Sequence, residues 1–252
     1  MSGHSKWAQI KRQKGVNDAR RGQLFTKLGR EIIVAVRAGG SGDPNMNFRL
    51  RKAIDAARAA NMPMENIDRS IKRALGGGEG AQLEEITYEG YGPGGAAVLI
   101  YTLTDNRNRT VSEIRNVFSK NGGNLGENGC VDWIFENRGI IEIDLTGKNT
   151  DDIYLEAIDS GAEDVEQPGE GDDVMTVYTA ANEVETVRTA LEAKKISVTK
   201  SDTSLVPKTT ISLDEKQSLQ TIRLIERLED LDDVQNVYTN ADISEDAIDG
   251  EE

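Results

Sequence analysis

The sequence predicts a multidomain chain of α and α+β parts: an N-terminal three-helix bundle followed by two ferredoxin-like α+β domains, one inserted in the other. Three observations carry that expectation. Residues 1–75 space their apolar side chains as helices do and hold sixteen Lys and Arg against six Asp and Glu. A glycine-rich run, Gly76-Gly77-Gly78-Glu79-Gly80, then interrupts the pattern, and strand-like alternation begins after it. Residues 139–201 read strand, helix, strand, strand, helix, strand, and a strand–helix–strand half lies on either side of them.

The first helix is expected over Asn17–Gly39, with Leu24, Leu28, Ile32 and Ala35 as its apolar stripe and Lys27, Arg30 and Arg37 on the other side. Gly39-Gly40 ends it. Asp43 followed by Pro44 reads as an N-cap and first helical residue, opening a second helix that runs to about Ala60. Its Leu50, Ile54 and Ala57 point inward; Arg49, Arg51, Lys52 and Arg58 lie at the sides. Pro63 starts a third helix with Ile67, Ile71 and Leu75 inward and Arg69, Lys72 and Arg73 displayed. The short connection between the second and third helices suggests a helix-turn-helix. A recognition helix, however, offers its N-terminal residues to bases, and here those are Met64, Glu65 and Asn66. The positive charge sits at the other end, where it suits backbone phosphates.

Glu85–Tyr91 and Ala96–Thr104 read as a strand pair joined by Gly92-Pro93-Gly94-Gly95, a hairpin turn more simply than a phosphate cradle, since no G-x-x-x-x-G-K-[ST] run is present. Thr110-Val111-Ser112-Glu113 has the form of a capping box, opening a helix with Ile114, Val117 and Phe118 inward. Val131, Trp133 and Phe135 alternate as a strand. The inserted unit comprises Ile140–Leu145, Asp151–Ser160, Glu163–Glu166, Asp173–Thr179, Glu183–Lys194 and Ser197–Lys200. The outer unit takes Ala96–Thr104, Thr110–Asn121 and Cys130–Glu136, then Ser204–Ser212, Glu215–Asp230 and Val234–Thr239, with Ser212-Leu213-Asp214-Glu215 as a second capping box. The expected boundaries are 1–78 for the basic helical domain and its arm, 82–137 plus 204–241 for the outer α+β domain, 138–203 for the insert and 242–252 for an acidic tail.

The chain carries a net charge of −14, which conceals a strong asymmetry: residues 76–252 hold fourteen basic against thirty-eight acidic residues. A basic segment on an acidic chain points to a polyanion-binding face, with the acidic remainder repelled by phosphate. The competing reading is that the basic domain neutralises its own acidic body. Lys6, Lys11, Arg12 and Lys14 form an arm without acids and with few apolar groups, a common way to follow a phosphate backbone. Trp7 either stacks on a base or pins the arm. With these, Arg20, Arg21, Lys27, Arg30, Arg37, Arg49, Arg51, Lys52, Arg69, Lys72 and Arg73 make up the candidate nucleic-acid-binding set.

Other chemistries find little support. One cysteine, Cys130, and one histidine, His4, rule out an intrachain disulfide and a Cys/His zinc site by count, and a reducing cytoplasmic setting fits. No apolar run has membrane-helix length, and no h-region follows the start, so neither a span nor a secretory signal is expected. Acidic pairs such as Asp151-Asp152 and Asp172-Asp173 come without a companion nucleophile or ligand spacing, so no catalytic residue, metal or cofactor is assigned. The turn Thr104–Thr110 leaves a strand and enters a helix N-terminus, where backbone N–H groups favour an anion; Asn106, Arg107, Asn108 and Arg109 are the candidate anion site. The alternative is an Asn-rich turn whose arginines pair with local acids. Under the first reading both arginines are dispensable to the fold.

Several long motifs, in order along the chain, resemble the YebC family. They are Gly3-His4-Ser5-Lys6-Trp7; Gly42-Asp43-Pro44 with Asn47 and Arg49-Leu50-Arg51; Tyr88 to Gly95; Thr104 to Thr110; and Gly122-Gly123-Asn124-Leu125-Gly126 with Gly129. The resemblance covers nearly the whole chain, apart from Glu245–Glu252. It implies a helical N-terminal domain, two α+β domains and a cytoplasmic, non-enzymatic regulator of gene expression. Members are described as DNA-binding transcriptional regulators, and others, including mitochondrial relatives, act in translation at the ribosome. Nucleic acid, either DNA or ribosomal RNA, is therefore the expected partner, with the ribosome as a second one. No membrane partner is expected, and the chain should be a monomer or weak oligomer.

Overall fold

The computed structural model describes residues 18–76, 83–168 and 173–243, with side chains from residue 21 onward. The expected basic arm, the glycine linker after Gly76 and the acidic tail beyond Ile243 lie outside the described residues. The chain divides into two compact units. In described residues, one comprises 18–132 and 213–239, the other 133–212 and 240–243. N-terminal helices and two antiparallel four-stranded sheets with helices make the α and α+β architecture that the sequence predicts.

The first unit opens with α1 (Asp18–Gly39), α2 (Phe48–Ala59) and α3 (Met64–Leu75). Ile32, Ala35, Leu50, Ile54, Ala57, Met62 and Ile67 form their common core. The stripe of α1 is wider than its sequence suggests. Five consecutive residues from Ile32 to Val36 are buried, because α1 is enclosed on more than one side, while Leu24 and the terminal Leu75 are exposed. The cap of α2 also differs from expectation. Asp43 accepts the Asn45 N–H and makes a local turn, and the helix starts after Asn47. The buried Asn47 side chain accepts the Leu50 N–H at 3.1 Å and donates to the carbonyls of Ala35 (2.7 Å) and Ser41 (3.1 Å). It so caps one helix while fastening it to another, worth about 1 kcal/mol as a cap alone. A Cβ at Gly39 would fall 2.2 Å from Asn47, so the glycine makes room for this cap.

The sheet of the first unit has the order β3-β1-β2-β9. Its strands are β1 (Glu84–Tyr91), β2 (Ala97–Thr104), the short β3 (Asn124–Leu125) and β9 (Val234–Thr239), with α4 (Arg107–Lys120) and α7 (Glu215–Glu229). Two expected strands of this sheet, 130–136 and 204–212, are thus replaced; residues 204–207 pair with 135–138 in the other sheet instead. Residues 130–136 do not form one strand: Asp132–Ile134 is a single 3₁₀ turn, Trp133 is exposed, and the extended chain starts at Phe135 in the other sheet. The β1–β2 hairpin takes the centre instead, pairing Glu84 with Thr104 through to Tyr91 with Ala97. At its turn a Cβ on Gly94, whose φ is +67°, would fall 2.6 Å from Leu213 and 2.9 Å from Gln217, so the glycine run is packed against the start of α7 rather than cradling a phosphate.

Both expected capping boxes are shifted. Asn106 caps α4 by accepting the Arg109 N–H, and Thr110 turns inward. Asp214 and Gln217 form the reciprocal box of α7, two residues after Ser212.

The second unit holds β4 (Phe135–Asp144), α5 (Thr150–Asp159), β5 (Asp164–Glu166), β6 (Val174–Ala180), α6 (Val184–Ala193) and β7 (Val198–Pro207). Its strand order β5-β6-β4-β7, all antiparallel, is that of a ferredoxin-like sheet. Ile141, Ile143, Met175 and Val177 meet Val187 and Leu191 of α6 in its core. The chain continues through β8 (Ile211–Ser212), which pairs in parallel with β10 (Ala241–Asp242).

Candidate nucleic-acid interface

Some basic residues of the helical region contact acids and carbonyls of the first unit, others line a groove, and Arg30 does both. Lys27 on α1 donates to the carbonyl of Glu229, and Gln23 to that of Asp230 at 3.4 Å, so both reach carbonyls at the C-terminal end of α7. A cation there meets the negative end of the helix dipole. Arg30 donates to Asp233 Oδ1 and to the Asp232 carbonyl, each at 2.6 Å. Arg49 contacts Glu31 at 3.0 Å and Glu85 at 2.8 Å and lies 3.3 Å from the Tyr101 hydroxyl, which itself donates to Glu85. The Glu85 contact, with the charge of Glu31, raises the Arg49 pKa and keeps the guanidinium charged.

Asp233 is the centre of this network. Its side chain is 3% exposed and is held by Arg30, by Arg109 at 2.8 Å and by the Thr110 hydroxyl at 2.6 Å. The Thr104 hydroxyl lies 3.1 Å away. Burial raises the pKa of this carboxyl; the Thr110 hydroxyl and the two guanidiniums outweigh that and hold it below its ordinary value. The arrangement joins α1, β2, α4 and the approach to β9 through one buried charge. Arg109 also contacts Asp105 at 2.8 Å. Asn106 is engaged as the α4 cap, so the turn 104–110 contains an acid-paired arginine and a capping asparagine. Arg109 belongs to the fold, and the expectation that both turn arginines are dispensable to it is corrected for Arg109. Arg107 and Asn108 occupy the first turn of α4 and are exposed.

The second group faces a groove of about 390 Å³ between α1 and α3. Arg30 and Arg37, seven residues apart, line it from α1; Arg69 and Arg73, four apart, line it from α3. Arg69 and Arg73 are exposed and make no ion pair among the described residues. Asp105 is the one acid in the lining, and Arg109 balances it. The two helices approach closely here: a Cβ on Gly29 would lie 3.2 Å from Ser70 Oγ.

The remaining candidates lie elsewhere. Arg51 donates to the carbonyls of Pro44 (3.0 Å) and Asn45 (3.3 Å), bracing the loop before α2. Lys52 sits 5.5 Å over the Phe48 ring. Lys72 lines a different depression, with Gly42 and Ile54. Arg21 is exposed on the first turns of α1. Lys6, Trp7, Lys11, Arg12, Lys14 and the Arg20 side chain are outside the described residues. Sequence reading missed Asp233, which looks like any other residue of an acidic run. It also left Asn66 and Ser70 out of the candidate set, although they share the i, i+3, i+4, i+7 face of α3 with Arg69 and Arg73, which it did include. No group of His, Cys, Asp or Glu able to hold a metal ion occurs among the described residues, and no helix among them is long and apolar enough to cross a membrane.

Two family models cover most of the chain. The family model for the TACO1/YebC protein N-terminal domain matches residues 5–77, and that for the TACO1/YebC second and third domain matches residues 83–241. A protein of Moorella thermoacetica named a probable transcriptional regulatory protein is 56% identical over 245 residues, covering 96% of each chain. One of Desulfosudis oleivorans with the same name is 53% identical over 97% of this chain and 98% of its own. The crystal structure of a conserved hypothetical protein from Aquifex aeolicus superposes with a TM-score of 0.77 at 48% identity, covering 90% of this chain and 93% of that one.

Proposed function

The chain belongs to the TACO1/YebC family, and on that premise we propose that it is a non-enzymatic, cytoplasmic regulator of gene expression that acts by binding nucleic acid through its N-terminal helices. The observation that carries this reading is the α1–α3 groove, where four arginines converge and two of them, Arg69 and Arg73, have no ion-pair partner among the described residues. Charge that the fold does not consume is what a polyanion uses. The basic arm adds Lys6, Lys11, Arg12 and Lys14 on the N-terminal side of α1. The names of the relatives favour transcription as the process, and DNA is the target that process would require. Structured ribosomal RNA is the second reading. One feature favours it: the N-terminus of α3 carries Met64, Glu65 and Asn66, with no cation among them, while the cations lie further along the helix, suited to shape and phosphate recognition.

Crosslinking in cells followed by sequencing of the bound nucleic acid tests the target. Enrichment of discrete DNA sites supports transcription; recovery of ribosomal RNA without DNA transfers the role to the ribosome. In purified form, engagement of ~6 phosphates gives a log–log salt slope of about −5 on duplex DNA. Affinity independent of salt would remove the polyanion reading altogether.

A further inference from the structure

The lining of the α1–α3 groove holds more than cations. Phe25, Ile33, Met62 and Leu83 form an apolar floor beneath the arginine rims. Phe25 is half-buried, with part of its ring packed on the helical core and part in the groove. Asn66 is half-buried beside it, and its side-chain amide has no hydrogen-bond partner among the described residues. Ser70 Oγ donates to the Asn66 carbonyl at 3.0 Å and keeps its lone pairs for a donor.

A site for phosphate alone does not use an apolar floor. Duplex nucleic acid keeps its base faces stacked inside and offers phosphates and groove edges. An unpaired nucleotide offers a planar apolar face, a hydrogen-bonding edge and a phosphate together. The volume of about 390 Å³ is that of a pocket for one small ligand. The charge is complementary: Arg37, Arg69 and Arg73 line the groove beside Arg30, which Asp233 holds, and the one acid in the lining, Asp105, is balanced by Arg109. We infer that the groove takes a single unpaired nucleotide of a nucleic-acid chain, its base against Phe25, its edge within reach of Asn66, and its flanking phosphates on Arg37, Arg69 and Arg73. This inference rests on the nucleic-acid reading above and specifies the target: a bulge, loop or single strand in preference to uninterrupted duplex.

The test compares the full chain binding to a perfect duplex and to the same duplex with one bulged nucleotide, at one salt concentration, with the fluorescent base 2-aminopurine at the bulge. The bulged probe is expected to bind at least about 5-fold more tightly, the lower end of what one stacked base contributes, and its fluorescence to be quenched on binding. Phe25→Leu, which keeps an apolar side chain against the core, should abolish most of that preference. Asn66→Leu, at a half-buried position outside the core, should reduce the preference without a change in melting temperature. Arg69→Ala with Arg73→Ala should weaken both probes. Equal affinity for the two probes without quenching overturns the inference and leaves the nucleic-acid reading standing. So does a preference that Phe25→Leu and Asn66→Leu both leave intact. Failure of both probes to bind removes both readings.

Discussion

Helices α1 and α3 both carry cations on a regular face, and they spend them differently. On α1, Lys27 and Arg30 reach the end of α7 and the buried Asp233, so their charge serves the fold. On α3, Arg69 and Arg73 are exposed and without ion-pair partners among the described residues. The difference comes from what lies opposite. Asp230, Asp232 and Asp233 end α7 and lead into β9, and α1 packs beside that acidic chain, as the contacts of Gln23, Lys27 and Arg30 record. The neutralising reading of the charge asymmetry therefore holds for part of the segment, Lys27, Arg30 and Arg49, and leaves Arg69 and Arg73 of α3 to the proposed binding face. A charge count along the sequence overstates the binding face.

The comparison can be broken most forcefully at Asp233. Asp233→Ala leaves Arg30 and Arg109 without their shared carboxylate and is expected to destabilise the first unit by about 3–5 kcal/mol, the range for breaking a buried pair, measured by urea unfolding. A loss below 1 kcal/mol would mean that the α1 charges are not structural. The same site predicts a pH dependence. The folded pKa of Asp233 is depressed, so its contribution is present above the unfolded value of about 3.9 and is lost as pH falls through the folded value. Wild type should therefore lose more stability between neutral pH and pH ~3 than Asp233→Asn does.

Glu89 supplies a control in the same unit, away from the helices. Its buried carboxylate accepts the N–H groups of Gly129 (2.6 Å), Val131 (2.7 Å) and Asp132 (2.9 Å). Burial raises its pKa and these three donors lower it by more. Glu89→Gln should cost about 1–3 kcal/mol, because one of the two acceptor oxygens becomes a donor facing N–H groups. Nucleic-acid affinity of the folded protein should be unchanged, which separates loss of fold from loss of the interface.

On the α3 side, the double variant Arg69→Ala, Arg73→Ala should alter stability by less than about 0.5 kcal/mol per site. It should make the salt slope shallower by about 1.8 on duplex DNA or about 1.4 on a single strand, for two phosphate contacts. An unchanged slope in a salt titration would assign the binding to the arm alone. The smallest effect is expected at Arg49→Ala. Its side chain is 37% exposed and its partners Glu31 and Glu85 are 28% and 40% exposed, so solvent screening limits the loss to about 0.2–1 kcal/mol. A larger cost would show that the Glu31–Arg49–Glu85–Tyr101 cluster acts as a unit.

The sequence by itself determined the elements whose signals are local. Apolar spacing located the three N-terminal helices, because one buried stripe suffices to define each. Alternation and two intervening helices located the ferredoxin-like insert, whose four strands and two helices are continuous in sequence. The surplus of cations in the first 75 residues, and the cations of α3, were legible for the same reason. Tertiary structure alone decided what depends on partners distant in the chain. Asn47 rather than Asp43 caps α2 because the Ala35 carbonyl is within reach of its amide. Thr110 does not cap α4 because Asp233, 123 residues further on, takes its hydroxyl. The β1–β2 hairpin, not residues 130–136, fills the first sheet, since pairing is a choice between strands and not a property of one. The groove is of the same kind. Phe25 and Asn66 lie 41 positions apart and carry no signal in common, and only the close approach of α1 to α3 at Gly29 brings them to one site.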